Sequence, residues 1–126
     1  MVIVDSDILI QYSRHDDKAA AWLDKTYEHS KLAISVITEI ELMIGSRDKV
    51  HLNEVRRFLS RFEIIHIDEE ISRFASGLIE KYCLSHRLLL PDALIAATAI
   101  VNDTELATIN RKDFRYIRDL KLADYP

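Results

Sequence analysis

The residues of this chain whose types and places could do chemistry are carboxylates. Acids or amides stand where short apolar runs stop: Asp5, with Ser6 and Asp7, after Val2–Val4; Asp68 after Ile64–Ile67; Asn110 and Asp113 after Leu106–Ile109. Glu41 lies about a turn into the helix expected after Leu32–Ser35, and Asp92 opens an apolar helix expected over Asp92–Asn102. In open parallel sheets ligands enter at the carboxyl ends of the strands, so acids in these places are candidates for chemistry. Each also has a structural explanation, because an acid at a helix start satisfies orphan N–H groups and complements the helix dipole. Asp68 is assigned to capping, since Glu69, Glu70 and an amphipathic helix follow it. Asp7 fits equally a cap for a helix Ile8–Ser13 and a supporting place in a metal site.

Glu41 and Asp92 are less easily explained as solvated charge. On a helix Val36–Ile44 the expected core stripe is Ile37, Ile40 and Ile44, and Thr38, Glu41 and Gly45 share the adjoining face. Asp92 precedes Ala93-Leu94-Ile95-Ala96-Ala97-Thr98-Ala99-Ile100, a helix apolar enough to be largely buried. If Asp5, Glu41 and Asp92 converge, each close pair repels by about 4 kcal/mol at an effective dielectric near 20. Protonation, an intervening basic side chain or a bound cation would relieve it. No basic residue sits beside these acids in sequence, which favours a hard divalent cation, Mg²⁺ or Mn²⁺, on oxygen ligands.

The elements that must position these acids are legible from periodicity. The four apolar runs read as strands. Between them the spacing is helical: Ile71, Phe74, Ala75, Leu78, Ile79 and Tyr82 form one face, Leu52, Val55, Leu59 and Phe62 another, and Ala19, Trp22, Leu23 and Thr26 a weaker one within 16–29. Strands alternating with helical crossovers predict an α/β fold, a three-layer sandwich around a mostly parallel sheet of four to five strands. The chain is expected to form a single domain over residues 1–126, since 126 residues bury one core but not two.

Composition excludes several classes. Two glycines rule out Gly-rich phosphate loops, and a single cysteine, Cys83, rules out an internal disulfide or a thiolate metal cluster. The apolar run Ala93–Val101 is too short to span a bilayer, and the N-terminus lacks the marks of a secretory signal, so a cytosolic protein without membrane contact is expected. A net charge of −4 argues against binding nucleic acid by bulk positive charge, but less against a metal nuclease whose acids are covered by cations. His15, His29, His51, His66 and His86 are scattered and are read as surface or core residues.

Four blocks in order, Val2–Ile10 around Asp5-Ser6-Asp7, Ile34–Gly45 around Thr38 and Glu41, Leu90–Ala99 around Pro91-Asp92, and Leu106–Phe114 around Asn110 and Asp113, resemble the PIN domain of VapC-like toxins along nearly the whole chain. The resemblance implies an α/β/α sandwich, an acidic quartet that binds Mg²⁺ or Mn²⁺, and endonucleolytic cleavage of single-stranded RNA. It places Asp5, Glu41 and Asp92 on the family's regular acids and Ser6 on the residue supporting the first. The family's fourth acid falls at the place of Asn110, of Asp113 or of both; here Asn110 is an amide and only Asp113 is charged, so Asp113 joins the candidate ligands, with Asp7, Thr38 and Asn110 in supporting roles. It further implies a VapB-like antitoxin and a homodimer. Arg111, Lys112, Arg115 and Arg118 are candidates for the RNA path. The helices around Trp22 and Leu59 are candidates for a groove that takes a partner helix, although Trp22 is equally well read as core packing. Two rivals stand beside this reading: a nuclease-inactive PIN-fold module that binds RNA or protein, motivated by Asn110, and a haloacid-dehalogenase-type phosphatase using Asp5 and Asp7.

Overall fold

The computed structural model describes residues 1–126. Side-chain caps set most element boundaries. Strand β1 (Val2–Val4) ends at Asp5, whose carboxylate accepts from the Ser6 amide and opens α1 (Ser6–Ser13). Asp16 caps α2 (Asp17–His29) through the Ala19 amide, and Ser35, the last residue of β2 (Leu32–Ser35), caps α3 (Val36–Ile44). Asp48 caps α4 (Lys49–Leu59), which is followed by β3 (Glu63–Ile65). Asp68 caps α5 (Glu69–Tyr82) as expected, its carboxylate accepting from the Ile71 amide at 2.8 Å. Helix α6 (Leu90–Val101) starts with Pro91 in its first turn, and β4 (Glu105–Ala107) leads to a 3-10 turn over Arg111–Asp113.

The sheet order is β3-β2-β1-β4 and every pairing is parallel. Two helices separate each strand from the next in sequence. The C-terminal segment adds a single parallel bridge, Leu106 to Leu122, outside β4. The third and fourth strands are shorter than their apolar runs because their partners end first. Ser35 leaves the sheet to cap α3, so β3 stops at Ile65; Asp5 leaves to cap α1, so β4 stops at Ala107.

Alternation in the strands distributes side chains to two cores. Ile3, Ala33 and Leu106 are in register and join Ile71, Ala75, Ile95, Ala96 and Ala99 under α5 and α6. Val2, Val4, Leu32, Ile34 and Ala107 point the other way and meet Ile8, Leu9, Leu23 and Leu59 of α1, α2 and α4. Every buried residue of α6 is Ala, Ile or Thr, a mainly small-residue face that lets it lie close on the sheet.

Helix α3 departs from expectation. Its inward residue is Thr38, fully buried, whereas Ile40 and Ile44 are 41% and 78% exposed. The helix stands between the two layers, so Ile37 packs into the core beneath α5 and α6 and Leu42 into the other. A stripe of period 3.6 cannot serve two cores at once, and the inward position goes to the smaller residue between them.

Candidate active site

Strands β1 and β4 pair although the chain visits β2 and β3 between them, so the strand order switches direction at this pair. A crevice opens at the carboxyl ends of such strands. Asp5 leaves β1 there and is 6% exposed. One of its oxygens accepts from the Ser6 amide at 2.8 Å; the other accepts from the Thr108 hydroxyl, just past β4, also at 2.8 Å. Thr108 Oγ1 also lies 3.0 Å from Asp7 Oδ2 and accepts from the Asn110 amide at 3.2 Å. One hydroxyl proton therefore stands between two carboxylates.

Asp7 is not the cap of α1; Asp5 is. Asp7 Oδ2 instead accepts from the Ile109 and Asn110 amides at 3.1 and 3.2 Å, tying the loop after β4 back to α1. Its Oδ1 is buried without a partner, as is Thr38 Oγ1.

The acids perturb one another. Burial first, then Asp7 and Asp92, pushes the Asp5 pKa up to about 7 against the pull of Thr108 and Ser6. Asp92, in the first turn of α6, is pushed up to about 6 by burial and then by Asp113, Glu41 and Asp7. Glu41, on the exposed side of α3, is raised by desolvation. Asp92 is thus the electrostatic centre of five carboxylates, Asp5, Asp7, Glu41, Asp92 and Asp113, and none of them forms an ion pair. The donor set is oxygen only, with an orphaned carboxylate oxygen at Asp7, which suits a hard divalent cation. No three of these side chains yet stand close enough together to share one ion, so binding would require them to draw inward.

Two clefts flank the acids. Asp92 and Asp113 line one of about 160 Å³ together with Arg87 and Lys112, and Glu41 lines another of about 400 Å³ with Arg14, Arg47 and His51. Of the basic residues expected along an RNA path, Lys112 is therefore beside the acids. Arg118 lines a separate groove with Arg73 and Lys81; Arg115 is exposed; Arg111 donates to the Ala123 carbonyl at 2.9 Å and holds the C-terminal segment. Trp22 is used in the same way: its indole N–H donates to the Asp124 carbonyl and its ring meets Tyr125 edge-on. A groove lined by Tyr12, Leu23, Tyr27, Phe58 and Phe62 does run between α2 and α4.

Thr108 was not singled out from the sequence, although it is the residue that joins Asp5 to Asp7. The available signal was a hydroxyl in an otherwise apolar strand run, which must find a partner once buried. The pairing of His86 with Tyr116 beside Asp92 carried no such signal.

A model of the PIN domain family matches residues 2–120. The chain is 41% identical over 122 residues to Ribonuclease VapC10 of Mycobacterium tuberculosis, an alignment covering 96% of this chain and 91% of that protein. Among solved structures it is similar to a toxin-antitoxin complex from Klebsiella pneumoniae, with 33% identity, a TM-score of 0.81 and 95% of each chain covered. It is also similar to VapBC2 from Rickettsia felis bound to a DNA fragment from their promoter, with 28% identity, a TM-score of 0.83 and the full length of both chains covered. Fold, family match and identity agree: this chain belongs to the PIN domain family, among its VapC-like members.

Proposed function

We propose that this protein is a divalent-metal-dependent endoribonuclease, the toxin of a VapBC-type pair, that hydrolyses phosphodiester bonds in RNA. The observation that carries the reading is the grouping of five unpaired carboxylates around the β1–β4 switch point, with Asp5 pushed up to about 7 and Asp92 to about 6. Relatives named as ribonucleases and toxin-antitoxin complexes support the substrate class and the antitoxin partner. The phosphatase alternative is set aside by membership of the PIN family.

Asp5, Glu41, Asp92 and Asp113 would hold Mg²⁺ or Mn²⁺. When bound, the cation supplies Lewis-acid charge to the scissile phosphate and to the attacking water. The chain's own residues prepare the place. Thr108 and the Ser6 amide fix the two oxygens of Asp5, and Asp7 anchors the loop that carries Asn110 and Asp113. Near neutral pH the Asp5 and Asp92 carboxyls carry part of a proton each, which they would give up on holding a cation. No histidine is needed as general base. A homodimer and a cytosolic location complete the proposal; no helix is long and apolar enough to cross a membrane.

The test is cleavage of a mixed tRNA and structured-RNA pool with Mg²⁺, Mn²⁺ or EDTA, using wild type beside folded Asp5→Ala and Asp92→Ala proteins. Metal-dependent products that vanish in both variants support the enzyme. Persistence in EDTA or in the variants overturns it. The second reading, a binding module without turnover, is favoured by Asn110 standing where an acid would strengthen the quartet, and by the open spacing of the acids. It predicts metal binding or RNA retention with no products.

A further inference from the structure

The cleft beside Asp92 and Asp113 has walls that the acids do not explain. His86 lies flat on Tyr116, with ring centroids 4.0 Å apart and planes 9° from parallel. Tyr82 braces Tyr116 edge-on at 5.1 Å and meets His86 edge-on at 5.7 Å. Ser85 Oγ, 2.8 Å from His86 Nδ1, fixes the imidazole plane. Tyr82 is buried and Tyr116 half-buried, but His86 is exposed, so the stack ends at the surface. A ring stacked on one face has another free for a planar group.

The same cleft carries two cations. Arg87 and Lys112 both line it and neither forms an ion pair, although carboxylates share the walls. Arg87 holds φ at 55°, a left-handed backbone that costs energy for a residue other than glycine. A planar stacking surface beside two cations suits one nucleotide of a single strand, whose base is free to stack and whose phosphate needs positive charge near the acids. A duplex hides its bases and does not fit.

We propose that this cleft is a nucleotide subsite. A base of single-stranded RNA stacks on the His86–Tyr116 pair, an adjoining phosphate is held by Arg87 and Lys112, and together they decide which phosphodiester bond reaches Asp92 and Asp113. The proposal rests on the nuclease reading for its substrate, but binding tests it independently.

The experiment measures binding of short fluorescent single-stranded RNA to an Asp5→Asn protein in Mg²⁺, with duplex RNA as control. Adding His86→Ala weakens the single strand roughly ten-fold and His86→Phe restores it, because stacking needs a ring. Lys112→Ala weakens binding and makes its salt dependence shallower by about one phosphate. In the cleavage-competent protein His86→Ala raises KM about ten-fold with little change in kcat, and it alters which bonds are cut. Unchanged affinity, KM and cleavage sites in His86→Ala and Lys112→Ala overturn the subsite while leaving a carboxylate-dependent nuclease intact. Absence of metal-dependent cleavage, with single-strand affinity still sensitive to His86, overturns the nuclease and keeps the subsite. Failure of the Asp5→Asn protein to bind any single strand also overturns the subsite.

Discussion

At the scale of single residues the site is a problem of shared protons. Thr108 has one hydroxyl hydrogen and two carboxylate neighbours, and its bond to Asp5 lowers a pKa that burial and Asp7 raise. Replacing it with valine preserves shape and removes that opposing pull, so the Asp5 carboxyl titrates higher still. The expected result for Thr108→Val is a lower kcat/KM with the acid limb of the pH–rate profile moved to higher pH. Stability falls by about 1–3 kcal/mol, since Asp7 and the Asn110 amide lose a partner. Thr108→Ser keeps the hydroxyl and should restore the limb; an unmoved limb in Thr108→Val would refute the role. The acids were legible as candidates from their places after apolar strands and before a buried helix, although capping offered each of them a structural role as well, and Asp5 does cap α1. Thr108 was not legible as their partner, since Asp5 and Asp7 lie 103 and 101 residues away and only the pairing of β1 with β4 joins them.

At the scale of elements the sequence speaks through caps and periods. Asp68 followed by two acids and an amphipathic stretch announced α5, and the amide of Ile71 does bond to it. Asp68→Ala is expected to cost about 1 kcal/mol in denaturant unfolding with cleavage unchanged, because the Asp68 carboxylate bonds the Ile71 amide and none of the acids. Helix α6 is the opposite case. Its buried alanines press on Ile3 and Ala33 while its first turn presents Asp92, so packing and chemistry share one rigid body. Ala97→Leu overfills that contact and should cost about 1–3 kcal/mol, with activity falling further than stability alone explains. Equal activity per folded molecule would show that the packing of α6 on the sheet does not govern the placement of Asp92. Strand ends and the face of α3 were beyond periodicity for a common reason. Where β3 and β4 stop depends on where Ser35 and Asp5 turn into helices, and which side of α3 faces inward depends on two cores that meet there.

At the scale of the whole molecule the acid cluster sets stability against pH, and the sign is opposite to that of an ordinary salt-bridged carboxylate. Asp5 and Asp92 have ordinary values of 3.8 and folded values of about 7 and about 6. Between those limits the folded protein binds more protons than the unfolded chain, so stability falls as pH rises. The stabilisation from these groups is fullest below 3.8 and is gone above about 7. At roughly 1.4 kcal/mol per pH unit, buried Asp5 alone sets a ceiling of roughly 4 kcal/mol on this loss. The net charge of −4 adds self-repulsion in the same direction, and the cluster concentrates it at one end of the sheet. A divalent cation held by the ionised carboxylates of the folded state would oppose the loss. The metal-free wild type should therefore lose Tm between about pH 4 and about pH 7, and Mg²⁺ or Mn²⁺ should raise Tm more at the higher pH than at the lower. In Asp5→Asn the slope should flatten and the metal-dependent rise shrink, leaving a protein more stable than wild type at high pH without metal. A wild-type Tm that climbs with pH in EDTA, or a cation effect that is equal at both pH values, would mean that these carboxylates neither hold protons near neutrality nor exchange them for metal.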